Sequence, residues 1–285
     1  MNWFIENKIP LGSWIEAFVD WLIGHASGFF DAIAFSLEWM ILLVVELFQW
    51  FPPWFLIAFT AGLAFALHRS IGMSVFIIFA LLLILNLGYW PEMIETFVLV
   101  FSATALCVVV GVPIGILAAH KPWLYVGLRP ILDLMQTIPT FVYLIPTLIL
   151  FGLGVVPGLI STIIFAIAAP IRLTYLGIIR VPEELLEAGK AFGANRRQLL
   201  FKVELPAALP TIMAGITQCI MLSLSMVVIA ALVGADGLGK PVIRALNTVN
   251  ISQGFESGLA IVLVAIILDR LCKQPKSVTG GREEG

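Results

Sequence analysis

From Ala207 to Gly234 the chain carries no charged side chain, and the same is true from Thr96 to Ala119. About twenty consecutive apolar residues are what a helix needs to cross the hydrocarbon layer of a bilayer. Inside that layer every backbone N–H and C=O must find its partner within the protein, which leaves helices and closed barrels. Barrel strands alternate apolar and polar positions in short segments, whereas these runs are continuous. The fold class is therefore all-α and integral to a membrane, with lipid as an obligatory neighbour. Composition agrees: 60% of the 285 residues are hydrophobic, 12% are charged and the mean hydropathy is +1.05. Soluble domains hold about a quarter charged residues. The net charge of −2 and the absence of any basic block beyond Arg196-Arg197 give nucleic acid no footing.

Spans are expected at 54–69, 71–88, 94–119, 137–154, 158–180, 207–234 and 257–272, about seven in all. Pro52-Pro53, His68-Arg69, Tyr89-Trp90-Pro91 and Pro157-Gly158 punctuate them. Residues 1–53 read as an N-terminal tail containing an amphipathic helix. There Glu16, Asp20, Asp31, Glu38 and Glu46 alternate with Trp14, Trp21, Phe29, Phe30, Trp39 and Trp50, as in helices lying at the membrane surface. The competing reading makes 35–48 an extra span; a charge at mid-bilayer costs roughly 3 kcal/mol, which favours the surface position. Residues 54–272 then form the membrane domain and 273–285 a short tail. The N-terminus, MNWFIENKIP, has no basic region leading into an apolar core, so a cleaved signal peptide is not expected. No internal repeat is visible, which weakens an inverted-repeat secondary transporter.

Cytoplasmic loops are rich in Lys and Arg. With the 181–206 loop inside, seven spans put Arg69, Lys121, Arg129, Arg180, Lys190, Arg196, Arg197, Lys202, Arg270, Lys273, Lys276 and Arg282 on that side. Only Lys8, Lys240 and Arg244 fall outside, and Arg172 lies within a span. The N-terminus is then external and the C-terminus cytoplasmic.

The 181–206 loop is itself unusual, being charged and helix-forming between two apolar spans. Pro182 can open a helix, with Glu183 and Glu184 at the positive end of its dipole. Leu185, Ala188, Gly189 and Phe192 recur at helical spacing, and Gly193 can end the helix in a left-handed conformation. Asn195 can cap a second helix running through Leu200-Phe201 and stopping before Pro206. The exposed apolar residues of such a loop must either fold back onto the spans or dock in a groove of another protein. Local chemistry leaves both open.

Glu187-Ala188-Gly189, three residues, Gly193, nine residues and Val203-Glu204-Leu205-Pro206 resemble the signature loop of ABC importer permeases. That pattern is Glu-Ala-Ala, three residues, Gly, nine residues, Ile, any residue, Leu-Pro. Gly189 replaces the second Ala and Val203 replaces Ile. LMQTIPTFVYLIP at 134–146, APIRLTYLGI at 169–178 and LSLSMVVIAALVGADGLGK at 222–240 are similar to the permeases for glycine betaine, proline betaine and choline, and GADGLGKPVIRALNTVN at 234–250 resembles the choline-type branch. The resemblance implies a type I importer permease of the bacterial inner membrane, acting with a second copy of itself. It also implies two cytoplasmic ATPase subunits, which bind the ATP, and an extracytoplasmic substrate-binding protein. Glu187, Ala188, Gly189, Gly193, Leu205 and Pro206 would form the coupling loop that takes up the ATPase motion.

GADGLGKP, Gly234 to Pro241, nearly matches a phosphate-binding P-loop, but Pro241 stands where a Ser or Thr should hold magnesium. It also lies on the outer side in this topology, so a Gly-rich turn is the better reading. Arg172 reads as a cation that snorkels to the interface or pairs with a helix carbonyl. The 137–154 span contains Pro139, Pro146, Gly152 and Gly154, so its backbone should kink and free carbonyls. Phe141 and Tyr143 there are candidate lining residues of a translocation path, because aromatic faces attract quaternary ammonium; plain packing is the alternative for each. Cys107, Cys219 and Cys272, like His25, His68 and His120, lack ligand spacing, and no metal site or catalytic constellation is expected. An ion-coupled carrier or channel is the rival reading, and it would need ionisable coupling residues within the spans.

Overall fold

The computed structural model describes residues 10–272, and every regular element among them is a helix. The first, α1 (Leu11–Trp50), bends at Ala26, whose φ of −132° and ψ of 15° are not helical. Ile41 and Val45 of its second half are buried, and Leu37, Met40, Val44 and Phe48 pack on the main core. α1 is thus long and apolar enough to cross a membrane. The residues of the N-terminal tail before position 10 and those of the tail from 273 onward lie outside the described part.

α2 (Pro53–His68) and α3 (Ile71–Asn86) form an antiparallel hairpin. Ser74 Oγ donates to the Ala61 carbonyl at 3.1 Å, tying the two together. At 16 residues each they rise about 24 Å, short of the 30 Å or so of hydrocarbon. Among the described residues five helices are long and apolar enough to span, or six if one bent pair counts as a single span. The expectation of about seven counted α2 and α3 as full spans and left α1 out.

α4 (Trp90–His120) is a well-packed span of 31 residues. The bent pair follows: α5 (Pro122–Thr137) and α6 (Thr140–Phe151), 98° apart. The break sits at Ile138-Pro139, where Ile138 is extended with ψ of 132°, as a residue before proline prefers. Pro146 stays inside α6. α7 (Val155–Ala166) and α8 (Ala168–Ile179) make the next span. Its start is set by Gly152 and Gly154, with φ of 76° and 139°, and not by Pro157-Gly158 as the sequence suggests. Pro157 falls in the first turn of α7, where a missing N–H costs no helical bond.

α4, α8 and the long helix α11 (Leu205–Ala231) pack closely because small residues let their backbones meet. A methyl on Gly115 would lie 2.7 Å from the Ile171 carbonyl oxygen and 2.7 Å from Thr174 Cβ. Gly111 and Gly115 share one face of α4 as a Gly-x-x-x-Gly pair, the spacing that brings membrane helices together through dispersion contacts. α12 (Gly239–Thr248) and α13 (Ile251–Cys272) complete the chain.

Candidate functional site

The charged loop folds as a helical turn built from local signals. α9 (Glu183–Ala191) begins after Pro182, which sits just before the first helical residue. Its end is a Schellman motif: the Gly193 amide donates to the Lys190 carbonyl at 2.9 Å and the Ala194 amide to the Gly189 carbonyl at 3.1 Å. Gly193 has φ of +76°, the left-handed geometry this motif needs. Asn195 then opens α10 (Arg196–Leu199) with a reciprocal cap. Its side-chain oxygen accepts from the Gln198 amide at 2.9 Å, and its own amide donates to Gln198 Oε1 at 2.9 Å.

The second helix does not stop before Pro206. It continues through a π-helical stretch, Leu200–Glu204, into α11, one run from Arg196 to Ala231. In an α-helix Pro206 would clash with the carbonyl four residues back. The wider turn removes that conflict, with the Leu205 amide reaching back five residues to the Leu200 carbonyl. The loop is therefore rigidly joined to a span, and Leu205 and Pro206 are the first turn of that span.

No residue of α9 is buried, and among the described residues its main packing is on α10 and the π stretch. Glu187 and Ala188 face solvent, Gly189 is half-buried, and Phe192 is 93% exposed, with Phe201 at 65% and Leu185 at 47%. The loop does not fold back on the spans; its apolar side chains stand open on a charged surface. One contact ties its inner edge to the bundle: His120 Nε2, at the end of α4, lies 3.0 Å from Glu204 Oε2. Beneath it Val112, Ile116 and Ala119 of α4 pack on Ala208 and Ile212 of α11 and Ile178 of α8. At the opposite rim Thr96 Oγ1 of α4 accepts from the Leu238 amide at 2.8 Å. The loop and the 234–241 turn consequently lie at opposite ends of α4 and α11.

That turn is not a phosphate cradle. The Leu238 amide is bound to Thr96, and the Ala235 and Lys240 amides to the Ala230 and Gly237 carbonyls. A methyl on Gly239 would sit 2.5 Å from the Val227 carbonyl oxygen, so this glycine serves close packing.

Arg172 does not snorkel or bond a carbonyl: its Nη2 lies 2.6 Å from Asp133 Oδ1 on α5. Tyr125 stacks on Tyr175 between the same two helices, so α5 is fixed to α8 twice. Asp133 was not singled out from the sequence; its signal was the amphipathic character of 122–137. Phe141 and Tyr143 are not brought together. Phe141 is 56% exposed, whereas Tyr143 is buried and its hydroxyl donates to the Met135 carbonyl at 2.5 Å, across the α5–α6 bend. Cys107 and Cys219, distant in sequence, meet in one fully buried cluster with Ala166.

Residues 111–271 match the family described as binding-protein-dependent transport system inner membrane component. The chain is 47% identical over 269 residues to the glycine betaine transport system permease protein OpuAB of Bacillus subtilis, covering 94% of this chain and 95% of that protein. It is 42% identical over 268 residues to the glycine betaine/proline betaine transport system permease protein ProW of Escherichia coli, covering 94% of this chain and 75% of that protein. The fold resembles an inward-facing structure of the MetNI methionine ABC transporter, with a TM-score of 0.56 and 24% identity over 63% of this chain and 94% of that one. With its all-helical membrane fold and the signature loop in place, the chain belongs to the family of binding-protein-dependent transport system inner membrane components, the permease subunits of ABC importers.

Proposed function

We propose that this chain is the membrane-spanning subunit of an ATP-driven importer of quaternary amines. Two copies would form the pathway, two cytoplasmic ATPase subunits would dock on the loops, and an external binding protein would deliver substrate. The observation that carries this is the loop itself. A capped helical turn exposes Leu185, Phe192 and Phe201 amid charge and is continuous with the 36-residue helix Arg196–Ala231. Exposed apolar anchors on a helix suit a groove on a partner, and rigid continuity lets a push on the loop move a span. ATP would be bound by the partner, since the near-P-loop turn in this chain has its Gly234, Ala235, Leu238 and Lys240 amides bonded within the protein.

Both relatives named above carry glycine betaine in their names, so glycine betaine, rather than the choline suggested by residues 234–250, is the first substrate to test. The Lys and Arg distribution supports a cytoplasmic loop, with the permease in a bacterial inner membrane and its N-terminus outside. Phe141, exposed on α6, remains the better of the two aromatic candidates for contact with a trimethylammonium group. The ion-coupled carrier is not retained: Arg172, its one clear coupling candidate, is paired with Asp133.

The test is uptake by the complete importer in proteoliposomes, with the binding protein saturated. ATP-dependent accumulation of glycine betaine well above that of glycine is expected. Accumulation without ATPase subunits, or equal transport of the primary amine, would overturn the proposal.

A further inference from the structure

We propose that His120 and Glu204 are a positioning pair that makes α4 move with the loop, so that the ATPase stroke enters two spans and not one. The inference rests on the coupling-loop reading above and adds a second joint to it. Glu204 is the only charged residue among the buried ones described, 7% exposed at the last position of the π-helical stretch. A carboxylate taken out of water needs a partner. The partner here comes from a different span: His120 is the final residue of α4, and its Nε2 stands 3.0 Å from Glu204 Oε2.

The geometry around His120 makes the choice specific. Its Nδ1 lies 2.9 Å from the Ile116 carbonyl oxygen. A carbonyl can only accept, so Nδ1 carries a hydrogen and Nε2 is left to face Glu204. Glu204 Oε2 makes no hydrogen bond in this conformation, so the approach is close but not aligned.

The position of the pair gives it reach. α4 is pinned to the turn that follows α11 through Thr96 and Leu238 at 2.8 Å. At the near end it is held by the apolar contacts around Ile116, Ala208 and Ile212 and by this pair. Apolar contacts resist separation but slide along the helix axes; a close polar contact at the rim resists sliding. With it in place, a displacement of the π-helical stretch carries α4 and the outer turn together. Without it, α11 can slip past α4 and the stroke is lost.

The experiment compares His120→Gln, Glu204→Gln, the double variant and His120→Lys in the complete importer in proteoliposomes, reading substrate moved per ATP hydrolysed. Each Gln variant is expected to lower that ratio at least threefold while ATPase docking and hydrolysis persist. The double variant should be no worse than the poorer single, because both act through one contact. His120→Lys, which places a cation opposite the carboxylate, should recover at least half of the ratio. An unchanged ratio in both single variants would overturn the proposal, as would effects that multiply in the double variant. Should Glu204→Gln fail to assemble, His120→Gln against His120→Lys decides: equal ratios overturn it. Gly193→Val separates the two levels of the argument. Uncoupling by Gly193→Val alone sinks the pair and spares the loop; normal coupling in all three variants sinks the loop reading itself.

Discussion

Gly189 and Val203, the two positions at which the loop departs from its family pattern, face one another. A methyl on Gly189 would lie 3.5 Å from Val203 Cγ2 and 2.8 Å from Leu199 Cδ1. The first distance is ordinary contact, and the second involves the free end of a flexible side chain. Both departures are to smaller residues, and Leu199 Cδ1 reaches into the space beside Gly189. Gly189→Ala should therefore be close to neutral. The helix gains up to about 1 kcal/mol from Ala over Gly, and turning Leu199 costs about 0.5–1.5 kcal/mol. Thermal melting of the purified permease, with transport measured alongside, checks this; a loss above about 2 kcal/mol would mean that α9 cannot yield against α10.

Gly193 presents the opposite case. Nothing lies within 4 Å of a methyl placed there, so crowding is not the issue; the φ of +76° is. A β-branched residue in that conformation costs roughly 1–2 kcal/mol, whereas Asn visits it readily. Gly193→Val should break the Schellman turn, redirect α9 and uncouple hydrolysis from transport, with normal amounts of protein in the membrane. Gly193→Asn should keep at least half of wild-type coupling. Transport per ATP in the two variants is the measurement, and equal ratios would show that the turn plays no part.

The loop was legible in the sequence because its signals act over three or four residues: Gly193 closes one helix and Asn195 opens the next, as the residue types say. What followed was not legible, since Pro206 reads as a stop and only the π-helical turn excuses it. Pro157 misled in the same way, because a proline in a first turn leaves no mark, while Gly152 and Gly154 made the break. The shortness of α2 was legible, since 54–69 is only 16 positions, whereas α3 ends at Asn86, two positions before the 71–88 expected for it. The contacts that join the spans were beyond reach. Thr96 and Leu238 stand 142 positions apart, and Asp133 and Arg172 39, with nothing local in either to announce the other.

Close packing in the bundle gives a stability prediction. At Gly115 the obstacles to a methyl are the Ile171 carbonyl oxygen and Thr174 Cβ, both at 2.7 Å, and a backbone cannot turn aside. Gly115→Ala should force α4 away from α8 and cost about 1–3 kcal/mol, the usual range for overpacking. Gly62→Ala, with nothing within 4 Å, is the comparison and should melt at or slightly above the wild-type temperature. Melting of the permease in detergent decides between them.

Sidedness can be read chemically. Asn247 on α12 and Arg197 on α10 are both exposed, at the two opposite rims set by Thr96–Leu238 and His120–Glu204. In a Cys272→Ser background the remaining cysteines, Cys107 and Cys219, are buried. A membrane-impermeant maleimide applied to intact cells lacking an outer membrane barrier should label Asn247→Cys. It should reach Arg197→Cys only after permeabilisation. The reverse pattern would invert the topology and place the loop where no ATPase can meet it.

Tyr143 distinguishes packing from passage. Its hydroxyl donates to the Met135 carbonyl at 2.5 Å and so closes the 98° bend between α5 and α6. The ring itself is 9% exposed, which leaves little face for a trimethylammonium group. Tyr143→Phe keeps the aromatic face and removes only the hydrogen bond, worth about 0.5–1.5 kcal/mol. It should lower the melting temperature while leaving the preference for glycine betaine over glycine intact. Tyr143→Leu, which removes the face as well, should lose more stability and still keep that preference. Phe141→Leu, on the exposed side of the same helix, is where a change in preference is expected, because a cation–π contact there would be lost. Competition uptake with the two solutes in one assay reads all three variants. A shift in preference for Tyr143→Leu with none for Phe141→Leu would move the path to the buried side of α6.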